Sequence, residues 1–166
     1  MLNNFEIEEI ANQYGMDLNA VVMKDELKKL PAKNGNYIIN LQSSTQGNGS
    51  HWIALCIEDK DIFYFDSFGI ICPSEITTFC KRIPNSTLAY NDLQIQHIDA
   101  QTCGWFCIIF LLHLNRSKKD IYKSASEFIG RFSYDAIDNN KILKKYFKGL
   151  SDSIGLRLVS KLYSQK

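Results

Sequence analysis

The chain alternates between apolar runs of helical spacing and short runs rich in β-formers, separated by small polar residues. Residues 4–15 carry Phe5, Ile7, Ile10 and Ala11 at helix-like spacing and end on Gly15, which suits a helix C-cap. A second, shorter helical piece is expected within 17–30, around Lys24-Asp25-Glu26-Leu27, with Pro31 closing it. After Lys33-Asn34-Gly35-Asn36 the run Tyr37 to Leu41 reads as a strand, and Gln42 to Ser50, all small or polar, as a loop. His51 to Glu58 and Ile62 to Asp66 flank a short charged turn at Asp59-Lys60-Asp61, the pattern of a β-hairpin. Its first strand begins at His51 and its second ends at Asp66, so antiparallel pairing brings those residues to one end of the sheet. Phe68-Gly69 then turns the chain away.

Residues 74–82 read as a helix with Ser74 as N-cap, broken by Pro84-Asn85-Ser86. Thr87 to Tyr90 and Leu93 to Gln96 suit further strand. From Cys103 to about Asn115 the pattern is that of a buried helix, because Ile108-Ile109-Phe110-Leu111-Leu112 is apolar on every side. Ser117, three residues ahead of Asp120, is expected to open another helix through Phe128 in the manner of a capping box. A third helical pattern covers Lys141 to Phe147 and stops at Gly149, and a last one lies around Leu156 to Leu162. No internal repeat or linker interrupts the chain, so residues 1–166 are expected to form a single domain of α+β class. Its small antiparallel or mixed sheet is expected to pack between helices, with the Cys103 helix on one side and the C-terminal helices on the other.

Composition supports a folded core, with 166 residues of which 45% are hydrophobic. The start Met-Leu-Asn-Asn-Phe-Glu lacks a basic region followed by an apolar one, so no secretory signal is expected. The longest apolar run, Trp105 to Leu114, falls far short of the roughly 20 residues of a membrane span. Five cysteines (Cys56, Cys72, Cys80, Cys103, Cys107), an odd set without Cys-x-x-Cys spacing, suit neither a disulfide framework nor a zinc site. Charge is uneven: residues 1–115 hold 7 Lys/Arg against 13 Asp/Glu, a balance of −6, and residues 116–166 hold 12 against 5, a balance of +7. The basic region 116–166 suits either a solvated helical surface or contact with DNA or an acidic partner.

The stretch Gln96 to Cys107 carries the candidate chemistry. A polar segment with a Cys-Gly step feeds straight into a buried helix, and a thiol at a helix N-terminus is a candidate nucleophile because the local dipole favours the thiolate. Cleavage of an amide by a thiol needs a base, a group that orients the base, and donors for the oxyanion. His51, Asp66 and Gln96 are positioned to fill those roles beside Cys103. Taken singly, each also has a structural reading: a buried thiol, a strand-opening surface histidine, an Asx turn. Cys107, one helical turn beyond Cys103, reads as core, and His97 and His113 read as incidental.

Gly49-Ser50-His51-Trp52, Phe65-Asp66-Ser67-Phe68-Gly69, and Gln96 seven positions before Cys103-Gly104-Trp105-Phe106-Cys107 resemble the adenovirus-type maturation proteases, adenain. The resemblance is strongest to the versions in virophages and Polinton transposons. That family is related to the SUMO- and ubiquitin-like-specific cysteine proteases and shares their permuted papain-like fold. The resemblance covers about residues 5–115. It implies His51 as general base, Asp66 as its orienting acid, Gln96 as oxyanion donor with the backbone N–H of Cys103, and Cys103 as nucleophile. Trp52 would either wall the cleft or join the core. Two departures stand out: Asp66 where adenain has Glu, and Thr102 where the deSUMOylating relatives carry Asp.

The resemblance further implies viral capsid or core precursors as substrates, cut near Gly beside a narrow tunnel, and a location in the virion and host-cell cytoplasm. It implies no metal and no resident cofactor, although adenain is helped by DNA and by a strand-adding peptide. Two rival readings stay open at this point. One is a deubiquitinase or deSUMOylase acting on a Gly-Gly isopeptide bond, and the other a non-catalytic binding module of the same fold.

Overall fold

A computed structural model describes residues 1–154, with the side chains of residues 153 and 154 left aside. Helix α1 (Asn4–Gln13) is closed at its start by a capping box: Asn3 accepts from the Glu6 N–H while Glu6 accepts from the Asn3 N–H. Ile7, Ile10 and Ala11 face inward, as their spacing predicts. The chain then forms β1 (Ala20–Met23) and a 3-10 helix over Lys24–Lys29. The 3-10 helix lies where the sequence places a short helical piece, around Lys24 to Leu27, and strand β1 precedes it without a strand expectation. Its four residues are all half-buried at a sheet edge, so they show none of the alternation that marks a strand in sequence.

Strands β2 (Gly35–Asn40), β3 (Trp52–Glu58) and β4 (Asp61–Phe65) form the centre of the sheet, and β5 (Thr87–Tyr90) closes its far edge. The order is β1-β2-β3-β4-β5, with β2–β3 and β3–β4 antiparallel and the two outer pairs parallel. The expected hairpin is present, turning at Asp59, which takes a left-handed φ of 56°. Its strands read as continuous apolar runs because both faces are covered. Ile53, Leu55, Ile57, Ile62 and Tyr64 point to one core; Trp52, Ala54, Cys56, Phe63 and Phe65 point to the other.

The first of those cores lies under α2 (Ser74–Cys80) and the 3-10 helix, through Ile76, Phe79 and Leu27. The larger one surrounds α3 (Cys103–Arg116), with α4 (Ile121–Ile129), α5 (Asn139–Ile154) and α1 packed around it. Sheet-between-helices is thus observed, but the C-terminal helices share a face with α3 and do not lie across the sheet from it. The reason is the composition of α3 itself. A helix buried on all sides needs cover away from the sheet, and Phe128, Leu143 and Phe147 supply it.

Several boundaries move for local reasons. Pro73, not Ser74, precedes α2, and Asp120, not Ser117, caps α4 by accepting from the Lys123 N–H at 3.0 Å. Helix α5 runs through Gly149, where no neighbour constrains the backbone and burial of Leu143 and Phe147 holds the helix. Residues 93–96 form no strand: the N–H groups of Ile95 and Gln96 both donate to one carbonyl, that of Ser67, at 2.9 Å. The segment therefore crosses the end of β4 and does not run beside it. The helix expected at 156–162 lies outside the described residues.

Candidate active site

His51, Gln96 and Cys103 line one cleft of about 320 Å³ at the end of the sheet, together with Met1, Ser50, Phe68, Ile98 and Gln101, and Asp66 lies buried behind His51. Each arrives from the end of an element or segment. His51 immediately precedes β3 and Asp66 immediately follows β4. Because Ala54 pairs with Phe65, the register sets Ile53 opposite Asp66 and His51 diagonally beside it. Gln96 ends the crossing segment and Cys103 is the first residue of α3.

The histidine is delivered by a polar loop with its own framework. Asn40 Oδ1, fully buried at the end of β2, accepts from the N–H groups of Gln42 and Ser50, each at 3.0 Å. Gly49 sits at φ +108°, and a Cβ there would lie 2.7 Å from Asn40 Nδ2. Only glycine lets the loop close this tightly ahead of His51.

His51 Nε2 lies 2.7 Å from Asp66 Oδ1, and its ring stacks on Phe68 with centroids 4.6 Å apart. Asp66 is fully buried and multiply held: Oδ1 also accepts from the Phe68 N–H at 2.7 Å, and Oδ2 from the Tyr64 hydroxyl at 3.3 Å. Burial pushes the Tyr64 phenol far up its scale, which keeps that hydroxyl a donor. Asn91 brackets the same peptide, accepting from the Asp66 N–H at 2.9 Å and donating to the Asp66 carbonyl at 2.6 Å.

Desolvation alone would lower the pKa of His51, but hydrogen bonds to Asp66 and Cys103 outweigh it and raise it to about 9. With Nε2 turned to the carboxylate, Nδ1 is the nitrogen left for the thiol. An imidazolium held in this way stabilises a neighbouring thiolate and can return a proton to a leaving amine.

Gln96 is 1% exposed and both ends of its amide are engaged. The Ser67 hydroxyl donates to Oε1 at 2.7 Å, and Nε2 donates to the Ala100 carbonyl at 2.5 Å. The second Nε2 hydrogen is free for the cleft. The N–H of Cys103, in the first turn of α3, has no intrahelical acceptor, and Cys103 and Gln96 line the same cleft.

Other sequence candidates fall where their burial puts them. Cys107 is fully buried, its thiol donating to the Trp52 carbonyl at 3.3 Å, and burial pushes its pKa well up. Burial likewise pushes Cys56 and Cys80 to about 12. Trp52 belongs to the core, with its ring N–H donating to the Leu2 carbonyl at 2.8 Å. His113 meets the Tyr146 hydroxyl, and His97 lies near Asp99 at the rim; neither histidine lines the cleft. Among the described residues no three His, Cys, Asp or Glu side chains converge as a metal site requires. No helix among them is long and apolar enough to cross a membrane.

Sequence reasoning did not single out Tyr64, Ser67, Phe68 or Asn91 as supports of the site. Ser67 and Phe68 were visible only as part of the Asp-Ser-Phe-Gly motif. Asn91 gave no signal, because its role depends on β5 delivering it beside the end of β4.

The fold is shared with the ASFV pS273R protease. Its crystal structure superposes with a TM-score of 0.52 at 16% identity, over 76% of this chain and 61% of that one. The selenomethionine form gives a TM-score of 0.53 at 16% identity, over 76% and 62%. The present chain thus spans about three-fifths of that protease's length. ChlaDub1 from Chlamydia trachomatis is a weaker likeness, with a TM-score of 0.46 at 12% identity over 93% of this chain and 81% of that one. No protein-family model and no curated protein matches the sequence. The α+β class expected from sequence, a permuted papain-like fold with the cysteine opening a buried helix, is the fold observed.

Proposed function

We propose that the protein is a cysteine endopeptidase in which Cys103 attacks the scissile carbonyl, His51 carries the proton, Asp66 orients His51, and Gln96 with the Cys103 N–H binds the oxyanion. The observation that carries this reading is the 2.7 Å contact of His51 with the buried Asp66, in the same cleft as Cys103 and Gln96. Thiolate attack would form a tetrahedral adduct, His51 would protonate the departing amine, and water would hydrolyse the thioester.

The finer reading is of an adenain-like maturation enzyme that cuts viral capsid or core precursors near Gly. Support comes from the quoted motifs and from the fold shared with the ASFV pS273R protease. Cys103 is only 2% exposed, and on this reading a Gly on the acyl side of the scissile bond reaches it without a side chain to place. Contact of the basic region 116–166 with DNA belongs to the same proposal.

Incubation with candidate capsid precursors and, separately, with a ubiquitin-like activity probe tests it. Precursor cleavage that disappears in Cys103→Ala supports the proposal. Reaction with the probe alone moves the target to an isopeptide bond, and processing unchanged in Cys103→Ala removes the enzymatic reading altogether.

A further inference from the structure

We propose that Ser67 is a positioning residue that sets the amide of Gln96, and that it ties the oxyanion donor to the end of the strand carrying Asp66. The inference rests on the peptidase reading and adds a residue to it. Three bonds link Ser67 to the crossing segment. Its carbonyl accepts from the N–H groups of both Ile95 and Gln96 at 2.9 Å, and its hydroxyl donates to Gln96 Oε1 at 2.7 Å.

An amide has an acceptor end and a donor end, and a rotation about the last torsion exchanges them. For an oxyanion donor that exchange is fatal, since it presents an oxygen to the developing negative charge. The two partners divide the work here. The Ala100 carbonyl can only accept, so it demands Nε2 and sets the sense of the amide, and the Ser67 hydroxyl donates to Oε1 and holds the amide in place. Of the two, Ser67 is fully buried, whereas Ala100 sits half-buried in a loop lining the cleft. The buried partner is the one whose geometry persists when a substrate enters.

Without the hydroxyl, Oε1 would be buried without a donor, and the amide would shift from the place that aims Nε2 at the cleft. A residue that only filled space would show a different dependence on Gln96. The test measures turnover of a fluorogenic peptide amide with Gly-Gly on the acyl side, together with the rate of Cys103 alkylation by iodoacetamide, which forms no oxyanion. Ser67→Ala, Gln96→Ala and the double variant are compared with the parent protein.

The expected result is a fall in kcat of roughly 10-fold or more for Ser67→Ala, KM little changed, alkylation within about two-fold of the parent, and no further loss in the double variant beyond Gln96→Ala. Equal losses from Ser67→Ala in both backgrounds, or an unchanged kcat, overturn the assignment of Ser67. A parent protein that neither turns over the peptide amide nor is alkylated first at Cys103 overturns the peptidase reading instead, and with it the inference.

Discussion

His51 and Asp66 stand one residue outside the two strands of the same hairpin, with Nε2 and Oδ1 2.7 Å apart and the carboxylate fully buried. The turn at Asp59 and the register Ala54↔Phe65 fix that proximity within the hairpin itself. A slip of one residue in either strand would turn its side chain to the opposite face and part the pair.

Asp66→Asn should lower the His51 pKa from about 9 and cut turnover by a factor on the order of 10² to 10⁴. NMR titration of the His51 ring and steady-state kinetics check the two effects. A His51 pKa that stays near 9 in the variant would show that Asp66 does not hold the charge.

The same pair makes stability depend on pH. The folded pKa of about 9 exceeds the ordinary 6.5, so the folded state holds the proton more tightly, and the stabilisation is fully present below 6.5. It is lost as pH rises through 9, and the difference corresponds to an order of magnitude of about 3 kcal/mol. Denaturant melts between pH 6 and 10 should show that decline, and His51→Ala should flatten it.

Asn91→Ala removes both hydrogen bonds that bracket the Asp66 peptide and leaves that buried N–H without a partner. A loss of roughly 2–3 kcal/mol is expected, with turnover falling alongside. Thermal unfolding and kinetics on the same preparation check it. Unchanged values in both would contradict the bracketing role.

Cys107→Ala separates the two cysteines of α3. Its thiol contacts only the core and the Trp52 carbonyl, so the variant should lose roughly 1–2 kcal/mol of stability and keep turnover within about two-fold. Loss of turnover without loss of stability would give Cys107 a role that its burial does not suggest.

Contact with DNA through 116–166 should appear as an affinity that falls steeply with salt, measured by fluorescence anisotropy on a short duplex. Turnover measured with and without the duplex then shows whether the contact matters to the reaction. Binding that is absent at low salt removes the proposal.

The legible parts of this molecule were those in which one element's own pattern decides its place. The hairpin, the all-apolar α3 and the inward face of α1 needed no partner to be recognised, and they carry His51, Asp66 and Cys103. What sequence alone did not disclose depends on distant neighbours. Strand β1 exists because β2 accepts it in parallel, and residues 93–96 are not a strand because Ser67 captures two successive N–H groups. The side on which α4 and α5 pack is set by the outer surface of α3. Asn91 and Ser67 support the site through bonds across 25 and 29 residues of sequence, which no local pattern encodes.

The most direct test of the account is mass spectrometry of the protein after brief treatment with a Gly-Gly peptide vinyl sulfone, for the parent chain and for His51→Ala. A single adduct on Cys103 is expected in the parent chain, and an adduct that forms at least about ten-fold more slowly in the variant. Labelling at another of the five cysteines, or a Cys103 rate indifferent to His51, would contradict it.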